Sequence, residues 1–265
     1  MIVERRTVTE DIAFEGRGLH SGEPVRIVVR PGSEGIWFRD GQSRVEAIPG
    51  NVTDTTRCTR LGSVSTIEHL MGALAGREVT DAEIEVTGGE IPGLDGSAKT
   101  LFDGITPGEV IGCRELPSLF TRIFLQEDSG LKMAVSKGTG HWRYVYDLGQ
   151  RWPGSQSFEL EHLPFEFGDQ VASARTLVLT EEIEGAKSLG LGRGLDDSSV
   201  LIVGREGYLN ESRFPDEPAR HKLLDLIGDL YLAGIPLKFL NVAAEKSGHR
   251  ANVQVAKMLK NSLAA

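Results

Sequence analysis

The chain has 265 residues, of which 40% are hydrophobic and 25% charged, so it can bury the core of one large or two modest domains. Its formal net charge of -9, with acids and bases interspersed, argues against a nucleic-acid-binding protein. The first residues lack an apolar signal stretch, no run reaches the ~20 apolar residues of a membrane helix, and Cys58 and Cys113 cannot build a disulfide framework. We therefore expect a monomeric, globular, cytoplasmic protein with no integral membrane segment.

The first part of the chain predicts two strands with a helix between them. Runs rich in β-branched residues, bounded by Gly and Pro, predict strands at 25–30 and 83–86. Between these runs, apolar residues at helical spacing predict a helix that is capped by Ser65 or Thr66 and ends at Gly76.

A second, short helix is predicted at 97–102, and turn-forming glycine and proline then cluster at 104–110. We interpret this cluster as a linker between an N-terminal domain, residues 1–108, and a C-terminal domain, residues 109–265.

The second part of the chain repeats the mixture of strands and helices without a detectable sequence repeat. Strands are predicted at 118–125, 131–135, 144–147 and 199–203, and helices at 180–188, 217–233 and 250–263. Each half thus offers strands and at least two helices, which is typical of an α+β fold rather than a regular βαβ alternation.

Polar residues follow one side of the helix predicted at 217–233. His221 and Asp225 lie four residues apart, a spacing that puts an imidazole and a carboxylate on one helical face, where both can bind a metal ion. Asp229, four residues further on, extends the same stripe. The alternative is an ordinary solvated pair of His221 and Asp225.

His69 is a second candidate ligand, and Glu68 directly precedes it. A catalytic zinc ion typically takes three protein ligands and keeps one position open, and His69, His221 and Asp225 would complete such a set. Glu68 has the character of a general base, because a carboxylate near the attacking water can take its proton. Alternatively, Glu68 and His69 are surface residues of the helix.

His249 follows Gly248, which permits a tight turn into the C-terminal helix. If Asp229 accepts a hydrogen bond from its ring, the imidazolium is favoured and His249 could protonate a leaving amine. Alternatively, His249 only flanks the helix. HExxH, GxSxG and GxGxxG in its usual context are absent, and the glycine-rich turn at 16–22 lacks the spacing and lysine of a P-loop.

Seven short segments stand in a characteristic order across nearly the whole chain. They are Gly18-Leu19-His20-Ser21-Gly22, Asp54-Thr55, Ser65-Thr66-Ile67-Glu68-His69-Leu70, Ile91-Pro92-Gly93-Leu94-Asp95-Gly96-Ser97-Ala98, Arg175-Thr176, Arg220-His221-Lys222-Leu223-Leu224-Asp225-Leu226-Ile227-Gly228-Asp229-Leu230 and Ser247-Gly248-His249. Each alone is a weak signal, but the ordered set is specific. Together they resemble the zinc-dependent UDP-3-O-acyl-N-acetylglucosamine deacetylases of lipid A biosynthesis, the LpxC family.

The resemblance implies one catalytic zinc ion held by His69, His221 and Asp225. Iron is an alternative, because His and carboxylate ligands accept several divalent metals. The resemblance also implies Glu68 as the general base and His249 as the general acid. By the same resemblance, three further residues assist the reaction: Asp229 orients the acid, Thr176 stabilises the tetrahedral oxyanion, and Lys222 lies near the substrate. Further substrate contacts are expected at His20, Cys58, Leu177 and Gly194, with a packed thiol as the alternative for Cys58.

The family fold is two similar domains, each a sheet with two main helices, layered as a β-α-α-β sandwich with the active site between the domains. The implied reaction is hydrolysis of the 2-acetamido group of an acylated UDP-amino sugar, which releases acetate and a free amine.

Several segments depart from the family pattern, and the link from Leu61 to Val64 is shorter than the family's usual hairpin. Leu177 follows Arg-Thr where the family usually has Phe, residues 147–153 replace a segment Asp-Phe-x-His-Pro, and residues 194–198 replace Gly-Gly-Ser. These departures fall in regions that recognise substrate. The hypothesis that the chain is a deacetylase of a different N-acetylated sugar or sugar nucleotide therefore stays open. A third hypothesis is a catalytically silent binding protein with the same fold.

Overall fold

The computed structural model describes residues 2–117 and 122–263. The strands are, in chain order, β1 (Ile2–Val8), β2 (Ile12–Arg17), β3 (Pro24–Pro31), β4 (Ile36–Asp40), β5 (Ser43–Glu46), β6 (Val52–Asp54), β7 (Arg60–Leu61), β8 (Ala82–Thr87), β9 (Pro107–Glu115), β10 (Ile123–Gln126), β11 (Lys132–Lys137), β12 (Trp142–Asp147), β13 (Ser155–Leu160), β14 (Leu177–Leu179), β15 (Leu201–Val203) and β16 (Leu240–Glu245). The helices are α1 (Glu68–Gly76), α2 (Lys99–Gly104), α3 (Phe167–Gln170), α4 (Ile183–Ser188), α5 (Glu217–Tyr231) and α6 (His249–Leu263).

The two halves of the chain build five-stranded sheets of the same topology. The first sheet has the strand order β2-β3-β8-β4-β5 and the second the order β10-β11-β16-β12-β13. In both sheets the third and fourth strands pair in parallel and the other neighbours are antiparallel. A helix precedes the central strand in each half, α1 before β8 and α5 before β16. The predicted α+β fold of two similar domains is confirmed, while the division at residue 108 stays a prediction.

Alternating apolar residues turn one face of each sheet towards the core. In the first sheet, Ile27 lies opposite Val86 and Val29 opposite Ile84, and all four side chains are buried. This period-2 pattern is what a strand with one packed face and one solvated face requires.

Helices α1 and α5 pack against each other in the interior, and α5 also packs on β12 and β13. Most residues on every side of these two helices are buried, as expected for a central helix layer. Gly228 allows the close approach, because a Cβ there would lie 2.0 Å from the carbonyl oxygen of Glu68. Gly72 on α1 also allows the two helices to approach closely, because a Cβ there would lie 2.9 Å from Cδ1 of Leu224.

Two details of the predicted elements are wrong. The first helix is not capped by Ser65 or Thr66: Thr66 has a φ of 61°, in the left-handed region, and α1 begins only at Glu68. The cluster at 104–110 is not a simple linker, since β9 begins at Pro107 and pairs with β1.

The other predicted helices and strands agree with the structure to within a few residues. The short helix predicted at 97–102 is α2, shifted by two residues, and the helix predicted at 180–188 is a 3-10 turn, Thr180–Glu182, followed by α4. The strand predicted at 118–125 falls partly on residues 118–121, outside the described residues. No helix in residues 2–117 and 122–263 combines the length and apolarity needed to cross a bilayer.

Candidate active site

Three possible metal ligands converge where α1 meets α5. The Oδ1 atom of Asp225 lies 3.7 Å from Nε2 of His69 and 3.5 Å from Nε2 of His221, and each of the three residues offers one ligand atom within 4.8 Å of the other two. Zinc bonds of ~2.0–2.1 Å at tetrahedral angles separate ligand atoms by ~3.3 Å. A single ion therefore fits this group with small adjustments.

Burial and a backbone hydrogen bond fix the state of His221. It is 3% exposed and Asp225 is 2% exposed, so the alternative of a solvated pair is wrong. Nδ1 of His221 lies 3.2 Å from the carbonyl oxygen of Ala174, which can only accept a hydrogen bond. With the proton on Nδ1, Nε2 keeps its lone pair for a metal. Burial lowers the pKa of His221 to about 4, which favours this neutral form.

Asp225 is held as an anion with its two oxygens in different environments. Oδ1 faces the two histidines, whereas Oδ2 accepts a 2.9 Å hydrogen bond from Nζ of Lys222. Burial raises the pKa of Asp225, but electrostatic interactions with His221 and with the ammonium group of Lys222 outweigh burial and hold the pKa well below its usual value.

Glu68 and His249 face each other beside the three ligands. Nε2 of His249 lies 3.9 Å from Oε1 of Glu68. Glu68 is buried rather than on the helix surface, and burial raises its pKa. Nδ1 of His249 donates a 3.0 Å hydrogen bond to Oδ2 of Asp229. Burial lowers the pKa of His249, but the carboxylates of Asp229 and Glu68 outweigh it and raise the pKa to about 9. His249 is thus an imidazolium at neutral pH.

A cleft of about 190 Å³ opens over these groups. Thr176, Leu177 and Lys222 line it from the second half of the chain, and His20 lines it from the first. The remaining two predicted substrate contacts lie apart from the lining: Cys58 is buried with a pKa that burial raises to about 12, and Gly194 packs on the backbone of Gly18.

The comparison with known proteins agrees with this geometry. The family described as "LpxC: UDP-3-O-acyl N-acetylglycosamine deacetylase" matches residues 5–261. The chain belongs to the LpxC family. A UDP-3-O-acyl-N-acetylglucosamine deacetylase of Aquifex aeolicus is 33% identical over 265 residues, which cover 96% of this chain and 92% of the relative. Proteins of the same name from Myxococcus xanthus and a Nostoc species are 34% and 33% identical, covering 94% and 97% of this chain and 83% and 98% of those relatives.

Membership of the LpxC family implies a catalytic metal, and His69, His221 and Asp225 are a candidate group to hold it. The roles inferred above for individual residues stay predictions.

Four residues that sequence reasoning missed hold the site of this LpxC-family chain in position. Thr59, fully buried, donates its hydroxyl to Oδ1 of Asp229 at 2.5 Å and its backbone N–H to Oε2 of Glu68 at 2.9 Å. Asn252 donates a 3.0 Å hydrogen bond to Oδ2 of Asp229. Only Asn252 carried a sequence signal, because it lies three residues after His249 on α6 and so shares its helical face.

The other two missed residues are carboxylates that fix loops around the cleft. Glu90 accepts the backbone N–H of His20 at 2.7 Å and the hydroxyl of Thr66 at 3.2 Å. Glu217, at the start of α5, accepts both the backbone N–H and the guanidinium of Arg175, at 3.0 and 2.9 Å. The Arg-Thr segment is therefore anchored to the helix that carries two of the candidate ligands.

Proposed function

We propose that the chain is a metal-dependent UDP-3-O-acyl-N-acetylglucosamine deacetylase, which hydrolyses the acetamido group of its substrate to acetate and a free amine. The relatives that bear this name match nearly the whole chain. The observation that carries the proposal is the grouping of His69, His221 and Asp225 within 4.8 Å, with Glu68 and His249 beside them in one cleft.

The donor set suits zinc. Two imidazoles and one carboxylate are a common catalytic zinc set, although iron accepts the same ligands. Zinc, when bound, would supply a Lewis acid that polarises the amide carbonyl and makes the attacking water more acidic.

The protein supplies the proton transfers. Glu68, whose pKa burial raises, is suited to take a proton from the attacking water. His249, which Asp229 keeps protonated, is suited to donate a proton to the departing nitrogen as the carbon–nitrogen bond breaks. The hydroxyl of Thr176 lines the same cleft and could donate a hydrogen bond to the developing oxyanion, a contribution often worth ~3 kcal/mol per donor.

The cleft offers distinct surfaces for a substrate with polar and apolar parts. Leu177, Val178 and Leu191 give it an apolar wall suited to an acyl chain, and His20 and Lys222 give it polar groups suited to the sugar nucleotide.

The free thiols of Cys58 and Cys113, the latter exposed, support a reducing compartment such as the cytoplasm, and we propose that the enzyme acts there as a monomer.

Acetate release by the purified protein tests the proposal on a panel of acylated UDP-N-acetylglucosamine, its unacylated form and a non-nucleotide analogue. We expect a strong preference for the acylated nucleotide, loss of activity on complete chelation, and recovery with zinc. Glu68→Ala should retain metal but lose ~10²-fold or more in turnover. Activity that survives complete metal removal would contradict the mechanism. Preference for another N-acetylated sugar would contradict the substrate, and absence of both turnover and bound zinc would favour a silent binding protein.

A further inference from the structure

The apolar wall of the cleft belongs to a small substructure, residues 177–203, which we call the cleft segment. Its strands β14 and β15 form a two-stranded sheet of three residue pairs. All six residues of α4 are at least partly exposed. A two-stranded pair and a helix of this length are each marginal in isolation. The position of the cleft segment must therefore depend on contacts with its surroundings.

Arg151, in the loop between β12 and β13, contacts both ends of the cleft segment. Nε and Nη2 donate to the two carboxylate oxygens of Glu181 at 2.6 and 2.8 Å. Nη2 also donates to the carbonyl oxygen of Val203 at 2.8 Å, and Nη1 to that of Gly204 at 3.0 Å. Nη1 donates further to the carbonyl oxygen of Trp152. All five N–H donors of the guanidinium are thus engaged.

This arrangement differs from an ordinary surface ion pair. The Arg151 side chain is only 18% exposed, its contact with Glu181 is bidentate, and it also holds backbone carbonyls that cannot move independently of β15. The nearby pair of Arg57 and Glu182 has a single 3.4 Å contact between side chains that are 51% and 40% exposed. Exposed pairs of that kind contribute little.

The hydrogen bonds of Arg151 to Glu181, Val203 and Gly204, which we call the tether, act directly on residues that form the cleft. Glu181 immediately precedes Glu182, which lines the cleft, and the 3-10 turn that contains both leads into α4. Ala186 on α4 and Leu191 after it are also cleft-lining residues. Holding Glu181 and Val203 therefore fixes the apolar wall relative to the metal ligands on α5.

We propose that Arg151 is a positioning residue that determines specificity, because it sets the width of the apolar side of the cleft and hence which acyl chains are accepted. The inference rests on the proposed function, since it takes an acyl chain as the occupant of that side.

Arg151→Gln removes the charge and the bidentate contact, and Arg151→Lys keeps the charge but not the five-donor fork. We expect both to lower kcat/KM for a long-chain acyl substrate by about tenfold, mainly through KM, and to change kcat/KM for a short-chain one by less than about threefold. Glu181→Gln should act in the same direction.

The matched control is Arg143→Gln on β12. The side chain of Arg143 is 50% exposed and lies 4.0 Å from Glu159. This substitution should leave both substrates unaffected, and all variants should retain the wild-type metal content.

Hydrogen–deuterium exchange of the full-length protein gives a readout that does not depend on activity. Peptides from the cleft segment should exchange faster in Arg151→Gln than in the wild type, while peptides from α1 and α5 should not. Unchanged exchange in the cleft segment would overturn the tether, and faster exchange with unchanged chain-length selectivity would overturn its role in specificity. A wild-type protein without deacetylase activity would instead contradict the proposed function, and the exchange experiment would still test the tether.

Discussion

Thr59 connects the two carboxylates on which the proposed proton transfers depend. Its hydroxyl holds Asp229, the partner of His249, and its backbone N–H holds Glu68. The side chain is fully buried and does not itself face the cleft. Thr59 can therefore influence the reaction only by positioning these groups.

Thr59→Val should separate this positioning from packing, because valine keeps the shape and only replaces the hydroxyl with a methyl group. Leaving Oδ1 of Asp229 without its donor should cost ~1–3 kcal/mol in the free energy of unfolding and lower kcat by about tenfold, with little change in KM. Thr59→Ser keeps the hydroxyl and should restore most of kcat. Steady-state kinetics and thermal unfolding of the two variants measure these effects, and equal kcat values for Val and Ser would refute the positioning role.

The pH dependence of the reaction should report the pairing of His249 with Asp229. A general acid must be protonated, and its pKa is raised to about 9, so kcat/KM should hold through neutral pH and fall as pH rises through about 9. Asp229→Asn removes the carboxylate that raises this pKa, so the alkaline fall should move to lower pH.

The control for this shift is Asp103→Asn on α2, where the carboxylate is 53% exposed and pairs with Lys99. Its pH–rate profile should match that of the wild type. If Asp229→Asn left the alkaline fall where it is in the wild type, His249 would not be the group that titrates there.

At the scale of elements, the contact between α1 and α5 sets the distances between the candidate ligands. His69 lies on α1, and His221 and Asp225 on α5, so a change in the separation of the helices changes all the distances between the two sides. At Gly228 the two helices are so close that a Cβ would lie only 2.0 Å from the backbone carbonyl oxygen of Glu68, which no rotamer change can move.

Gly228→Ala should force the helices apart and so weaken both folding and metal binding. Overpacking of this kind costs ~1–3 kcal/mol, and we expect a lower melting temperature together with weaker zinc retention in a chelator competition. Gly185→Ala on α4 is the matched control, since nothing lies within 4 Å of its Cβ position and alanine favours a helix. A zinc affinity equal to that of the wild type in Gly228→Ala would show that the helix spacing does not govern the site.

What the sequence could predict follows from how local each signal is. The helical spacing of His221 and Asp225 and the apolar periodicity of the long helices are local patterns, so α5 and α6 could be located closely. Thr59 could not be identified, because its partner Asp229 lies 170 residues away and only the folded chain brings them together. Pro107 and Gly108 have the composition of a linker, but pairing with β1 overrides that local preference and makes the segment a strand.

At the scale of the whole molecule, two halves of equal sheet topology meet at the candidate site. Each contributes side chains that the other lacks: Glu68 and His69 come from the first half, and His221, Asp225 and His249 from the second. The buried apolar residues of both halves also form one continuous core. A metal at this site would therefore join the halves through bonds as well as through packing.

Zinc should accordingly stabilise the whole molecule. A ligand that binds only the folded state adds ~2.7–4 kcal/mol to the free energy of unfolding at 100–1,000 times its dissociation constant. We expect protein stripped by a chelator to unfold at a lower temperature, and zinc at that excess to restore the difference in a single transition. His69→Ala should lose most of this increment, because it removes the ligand from the first half, whereas His162→Ala, at an exposed position, should keep it. Calorimetry on the three proteins, each with and without zinc, measures the increment, and an equal gain from zinc in His69→Ala and in the wild type would mean that the metal does not bridge α1 and α5.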